Sequence, residues 1–249
     1  MANPPKKARI KNVTRTNGSA TITFVSLDGP LDFLGGQYVI FNSGVKTNEG
    51  KEIKRAYSIL SSDRYQGEFQ ICVQPVEEGL ASLHIPNLAI GSELEFSGPW
   101  GKFIGNLQWP REGKTLLVAT DTGITAIFSI LHSQRWKEKL KDTNVIWYVS
   151  RESEFLPVRD VMEGLPIGFN SMNVIPISKV NDPKREAECL CSFTDELNAS
   201  VLPTNAFLAG DGKLIRIVKD VLLAKGVLEE NIGAEIFFNS PRQSESVKR

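Results

Sequence analysis

The feature that most constrains this chain is a change of rhythm near residue 109. Before it, short β-branched or aromatic runs follow one another: Ala20 to Ser26, Gln37 to Asn42, Arg55 to Leu60, Glu68 to Pro75 and Ser92 to Ser97. Turn residues separate them at Asn17-Gly18, Asp28-Gly29-Pro30, Gly35-Gly36 and Gly98-Pro99, and only Gly79 to Ile85 has helical spacing. Short strands punctuated in this way predict a closed antiparallel barrel. After Trp109-Pro110-Arg111-Glu112-Gly113, strands alternate with helices. Strands are expected at Thr115 to Ala119, Val145 to Val149, Val174 to Ile177, Ala206 to Leu208 and Glu235 to Asn239, and helices near Thr122 to Lys139, Glu154 to Met162 and Lys213 to Ala224. That alternation requires crossovers, a parallel sheet, and ligands at the carboxyl ends of its strands. The reading is therefore two domains, a barrel over 1–110 and an α/β domain over 111–249, with a loose polar tail from Ser240 to Arg249.

Composition narrows the partners. Lys plus Arg and Asp plus Glu both number 29, so the net charge is zero and no whole-chain argument for nucleic acid or an anionic membrane survives. Apolar runs such as Leu116 to Ala119 and Ile124 to Leu131 are too short to span a bilayer. Met1 to Lys11 is basic but lacks the apolar core of a secretory signal, which makes the cytoplasm the expected location. Cys72, Cys189 and Cys191 have no spacing that ligates zinc or an iron–sulfur cluster, so no metal is expected. Cys189-Leu190-Cys191 is at best part of a soft-metal site and reads more simply as surface or strand cysteines.

The chemistry-bearing residues begin with Arg55-Ala56-Tyr57-Ser58 at the end of a strand. Side chains repeat every two residues along a strand, so Arg55 can grip a pyrophosphate while Tyr57 lays its ring on a planar heterocycle. Ser58 points the other way unless the strand twists or ends there. Taken alone, such an arginine is more often a solvated charge. Downstream, Gly79-Leu80-Ala81-Ser82 opens a short helix whose N–H groups and hydroxyl suit phosphate, and Gly98-Pro99-Trp100-Gly101 follows.

In this order, Gly36-Gln37-Tyr38, Arg55-Ala56-Tyr57-Ser58, Gly79-Leu80-Ala81-Ser82 and Gly98-Pro99-Trp100-Gly101 resemble the flavin domain of the ferredoxin-NADP reductase superfamily. The resemblance extends over nearly the whole chain and implies a six-stranded barrel that binds FAD, followed by an α/β domain that binds NADP(H) or NAD(H). It implies that Arg55 contacts the FAD pyrophosphate, that Tyr57 packs on the isoalloxazine, that Ser58 hydrogen-bonds near the reactive flavin nitrogen, and that Val73 offers backbone contacts. Gly79 and Ser82 would hold phosphate.

The second half contains no Gly-x-Gly-x-x-Gly. Its Ala119-Thr120-Asp121-Thr122-Gly123-Ile124 instead resembles the family's Gly-Thr-Gly-Ile-Ala-Pro nicotinamide-cofactor loop, with Thr122 and Gly123 matching and Asp121 replacing a glycine. A carboxylate there is expected to cap the following helix and to repel phosphate. For the 2'-phosphate of NADP(H) the resemblance points to Arg151 and to Ser178-Lys179, with Lys184-Arg185 a little further on. Ala209-Gly210-Asp211-Gly212 is similar to the family's Cys-Gly-Asp-Gly turn, with Ala209 in place of cysteine and Asp211 counted among the cofactor residues. The terminal Glu235-Ile236-Phe237 resembles the Glu-x-aromatic element, which implies catalytic roles for Glu235 and Phe237 beside Ser58.

The implied activity is hydride transfer from NADPH to FAD, with electrons then passed to a separate ferredoxin or flavodoxin-like acceptor. Two other activities share these motifs: an NAD(P)H reductase serving an oxygenase, and a flavin or quinone reductase. Asp121 and Ala209 also allow a flavin-binding regulatory subunit without nicotinamide turnover.

Overall fold

The computed structural model describes residues 5–16, 18–76, 79–101, 112–150 and 163–238. Six antiparallel strands come first: β1 (Lys6–Arg15), β2 (Ala20–Ser26), β3 (Tyr38–Lys46), β4 (Glu52–Ser58), β5 (Glu68–Val73) and β6 (Glu93–Trp100). They are ordered β4-β3-β6-β1-β2-β5. Between the end strands β4 and β5 there is a single bridge among the described residues, Ile59 to Ile71, so the expected closed barrel is barrel-like without a full closing ladder.

Alternation drives these strands. In β2, Ala20, Ile22 and Phe24 are buried while Thr21 and Thr23 lie toward the outside. Phe24, Phe41, Phe69 and Phe96 contribute one ring each from β2, β3, β5 and β6, with centroid separations from 4.7 Å for Phe24 and Phe41 to 6.2 Å for Phe41 and Phe69. Such pairs add to stability beyond the apolar area they bury.

Strand β1 lies in the basic N-terminal segment, where the sequence reading expected no strand. Ala8 and Ile10 enter the core, while Arg9 and Lys11 face out and meet Glu93 and Glu68 at 2.8 Å and 2.5 Å. The charged residues hid a strand because only two positions alternate cleanly before the register shift between Ile10 and Asn12.

Five parallel strands follow: β7 (Thr115–Thr120), β8 (Thr143–Ser150), β9 (Ser171–Ile177), β10 (Asn205–Asp211) and β11 (Ile232–Phe238), ordered β11-β10-β7-β8-β9. The inner strands β7 and β10 are buried at every residue, as expected for a sheet covered on both faces. The order reverses between β7 and β10, and this switch point is where an open parallel sheet leaves a crevice for a ligand.

The helices are α1 (Leu80–His84), α2 (Ile124–Leu131), α3 (Arg185–Ala199) and α4 (Gly212–Ala224), with a 3-10 turn at Asp121–Gly123 and a longer 3-10 stretch at Gln134–Asp142. Helix α3 corrects the reading of Cys189 as a surface or strand residue and places Cys191 at the surface. Its buried stripe Arg185, Cys189, Phe193 and Leu197 repeats every fourth residue. Cys189 is in the core, its thiol pushed up to about 12 by burial, whereas Cys191 is exposed, so the two do not share a face.

The described residues form two compact units, and these do not follow one cut of the chain. Residues 125–142 and 163–170 group with β1 to β6, while residues 112–124, 143–150 and 171–238 form the other unit. In the first unit the Asp63 carboxylate accepts hydrogen bonds from Gly35 N (3.2 Å), Ser133 Oγ (2.5 Å) and Gln134 N (3.0 Å). Gly35 lies so close to this stretch that a Cβ on it would sit 2.5 Å from the Ser129 carbonyl oxygen.

Candidate functional site

In the first unit, the four quoted motifs converge on β3. Tyr38 pairs with Ser58 of β4 on one side and with Trp100 of β6 on the other, giving a row Ser58–Tyr38–Trp100 across three strands. Gln37 Nε2 donates to the Gly101 carbonyl at 3.3 Å, and the Tyr38 ring lies where a Cβ on Gly101 would touch it at 3.3 Å. Gly101 has φ +108, which favours glycine independently of the contact. Helix α1 packs on β3 and β4.

The side chains on this row differ in how much they are already engaged. Arg55 is exposed, and its Nη1 donates to the Lys54 carbonyl at 2.8 Å. Tyr57 is half-buried against the aromatic core, and burial pushes its phenol up to about 12, so it stays neutral. Ser58 is buried at the strand end. Val73 closes β5 opposite Ala20 and is buried. Ser82 is taken up by its own turn: its hydroxyl donates to the Gly79 carbonyl at 2.9 Å and accepts from Val76 N at 3.2 Å. A Cβ on Gly79 would lie 2.3 Å from Ser82 Oγ, so a larger residue there would have to displace that hydroxyl. An exposed guanidinium beside a neutral aromatic ring at an uncrowded strand end can take a pyrophosphate and a planar ring system.

In the second unit, the loops after β7 and β10 interlock at the switch point. A Cβ on Gly123 would come within 2.0 Å of the Ala209 carbonyl oxygen, and one on Gly210 within 2.1 Å of Thr120 Oγ1. The same threonine hydroxyl accepts from Asp211 N at 2.7 Å. Gly123 thus permits close approach, and Thr122 lies beside it in the 3-10 turn that leads into α2.

Asp121 corrects the expected helix cap. Its carboxylate accepts from Ser150 N at 2.9 Å and from Ser150 Oγ at 2.8 Å, and it is ion-paired with Arg185. Arg185 is 3% exposed and stands at the first turn of α3, so it is a core cation and not a solvated strand-end charge. Its Nη1 also donates to Ser150 Oγ at 3.0 Å and to the Ser178 carbonyl at 2.5 Å. Its Nε has no hydrogen-bond partner and lies 3.8 Å from the Asp211 carboxylate. The negative charge expected to repel phosphate is thereby matched by a buried guanidinium. Sequence reading missed this pairing because 64 residues separate the partners.

Other expected cofactor residues are placed differently. Asp211 is buried and caps α4, accepting from Lys213 N at 2.9 Å. Ser178, expected as a phosphate donor, gives its N–H (2.6 Å) and hydroxyl (3.0 Å) to the Glu188 carboxylate. Lys179 is exposed, and Arg151 lies outside the described residues.

Glu235 pairs in register with Ala209. Burial pushes its carboxyl up to about 7, and its Oε2 has no hydrogen-bond partner. The register shifts between Gly210 and Asp211, whose partners are Ile236 and Phe238, so Phe237 sits at a bulge. Glu235 and Phe237 are both partly buried, with exposed Ile236 between them.

Residues 7–104 match the family model of the oxidoreductase FAD-binding domain. The chain is 32% identical over 130 residues to NADH-cytochrome b5 reductase 1 of Dictyostelium discoideum, a stretch that covers 51% of this chain and 43% of that protein. With a component of the 1,2-phenylacetyl-CoA epoxidase of Escherichia coli (strain K12) it shares 26% identity, covering 94% of this chain and 67% of the relative. Among solved structures, a ferredoxin NADP+ reductase from Neisseria gonorrhoeae with bound FAD and NADP superposes with a TM-score of 0.73 at 19% identity, covering 93% and 98% of the two chains. The chain spans less than two thirds of the first of these relatives.

Proposed function

We propose that this chain accepts hydride from a reduced nicotinamide dinucleotide onto FAD and passes electrons onward to a separate acceptor protein. The observation that carries this reading is the row Ser58–Tyr38–Trp100 with exposed Arg55 beside it, matched by the interlocked switch point of a parallel sheet. The residues fit FAD: an exposed guanidinium for the pyrophosphate, a neutral Tyr57 ring for the isoalloxazine, and a strand-end hydroxyl at Ser58. Bound there, FAD supplies the capacity to take two electrons together and release them singly. Tyr57 keeps its proton and holds its ring against a planar partner. Glu235, with a carboxyl near 7, can hold or release a proton at neutral pH, which suits acid–base work beside a hydride-transfer site. Gly123 and the adjacent backbone would receive the dinucleotide pyrophosphate. In this reading, 1–110 serves the flavin and 111–249 the nicotinamide.

The acceptor we favour is a ferredoxin or flavodoxin-like protein. A second reading, the reductase component of an oxygenase, is favoured by the coverage of 94% of the chain in the match to the epoxidase component. An anaerobic spectral titration tests the shared core. Protein reconstituted with FAD should lose its yellow absorbance on adding a reduced nicotinamide dinucleotide. Absorbance that persists with both NADH and NADPH would remove the reductase readings and leave a flavin-binding regulatory subunit. Reoxidation by added ferredoxin, compared with a purified oxygenase component, separates the two acceptors.

A further inference from the structure

One buried guanidinium reaches the carboxyl ends of four neighbouring strands. Arg185 pairs with Asp121, which follows β7, and its Nη1 donates to the hydroxyl of Ser150 at the end of β8 and to the carbonyl of Ser178, which follows β9. Its Nε lies 3.8 Å from the carboxylate of Asp211, the last residue of β10. These strands are adjacent in the order β10-β7-β8-β9. A ligand of an open parallel sheet binds outside such strand ends, so whatever fixes them shapes its seat.

The turn after β7 has a second unusual property. Asp121 has φ +43, in the left-handed region that glycine enters without steric cost. The other described non-glycine residues with positive φ, Asp32 (φ 56) and Asn181 (φ 71), are exposed, whereas Asp121 is buried. Such a backbone state persists where the surrounding structure fixes the residue from several sides. Here the Asp121 carboxylate accepts from Ser150 N and Oγ and pairs with Arg185, and the Asp121 carbonyl accepts from Trp147 Nε1 at 3.0 Å and from Ile124 N. Two residues on, a Cβ on Gly123 would come within 2.0 Å of the Ala209 carbonyl oxygen, so the turn has little room to relax.

Resting on the nicotinamide reading above, we infer that Arg185 is a positioning residue for the dinucleotide. Through Asp121 it keeps the turn after β7 in a left-handed conformation that glycine would adopt unaided, and it fixes that turn against the other three strand ends. Its effect runs through the backbone of the turn and requires no contact with the ligand.

The test is calorimetric binding of ADP-ribose and of 2'-phospho-ADP-ribose to the FAD-loaded full chain, beside anaerobic flavin reduction by NADH and NADPH. Asp121→Gly and Asp121→Ala remove the same carboxylate and leave Arg185 equally unpaired, so they differ in backbone freedom. The glycine chain should bind the tighter of the two nucleotides about 10- to 100-fold better than the alanine chain, the range for a misplaced binding group. Flavin content and the limiting rate of flavin reduction should be alike in both, so the loss falls on binding. Arg185→Lys should weaken binding when Asp121 is present and change little beside Asp121→Gly. Equal binding by the glycine and alanine chains would overturn the inference and leave the nicotinamide reading standing, as would an Arg185→Lys loss of the same size in both backgrounds. The Arg185→Lys comparison decides the matter if the alanine chain fails to fold. A yellow protein that binds neither nucleotide would end both readings.

Discussion

The two candidate sites follow opposite electrostatic plans. Around β3 and β4, Arg55 is exposed, and its Nη1 donates to the neighbouring Lys54 carbonyl. Around β7 and β10 the charged groups Asp121, Arg185 and Asp211 are buried and bind one another or the strand ends. A site of the first kind can be altered without disturbing the fold. A site of the second kind is part of the core, because removing one buried charge leaves its partner uncompensated.

The largest effect should come from Arg185→Met, which strands Asp121 and should cost about 3–5 kcal/mol. Urea denaturation measures it, and the double variant Asp121→Asn/Arg185→Met should be less destabilised than Arg185→Met alone. A double variant worse than either single change would show that the pair is not the organising interaction. Arg55→Ala is the counterpart: FAD should dissociate about 10- to 100-fold more readily, the loss of one charge-assisted hydrogen bond. Its folding stability should stay within about 0.5 kcal/mol of the parent. Flavin content measured after gel filtration, beside a melting curve, checks both halves, and unchanged flavin retention would refute the clamp.

Gly123→Ala places a methyl 2.0 Å from the Ala209 carbonyl oxygen and should cost about 1–3 kcal/mol through backbone displacement. The same substitution at Gly67, with open space around it, should be nearly silent, so equal melting temperatures would contradict the interlocked loops. The smallest effect concerns pH. Burial raises the Glu235 carboxyl from 4.5 to about 7, so in that interval the folded chain holds a proton that the unfolded chain has released. Stability should therefore decline as pH rises through the interval and level off above it. Glu235→Gln should flatten the profile, and an unchanged slope would place the cause elsewhere.

Much of this was legible in residue order. The alternation Ala20, Ile22, Phe24 announced a strand with one buried face, and the apolar run of β7 announced a strand covered on both. Helix α3 was legible in the spacing of Cys189, Phe193 and Leu197 but was hidden by two cysteines that suggested another chemistry. The grouping of residues 125–142 with the barrel strands was not legible, because the Asp63 contacts that hold them join residues about 70 apart.

The sequence alone determined which residues could bear the flavin chemistry, since Arg55, Tyr57 and Ser58 need only a strand end to be placed together. Tertiary structure decided the state of charge at the switch point. Whether Asp121 repels a phosphate, caps a helix or pairs with a cation depends on what is buried beside it, and Arg185 reaches it only because α3 packs against the ends of β8 and β9. Electrostatic energies depend on distance and burial, and those are properties of the folded chain.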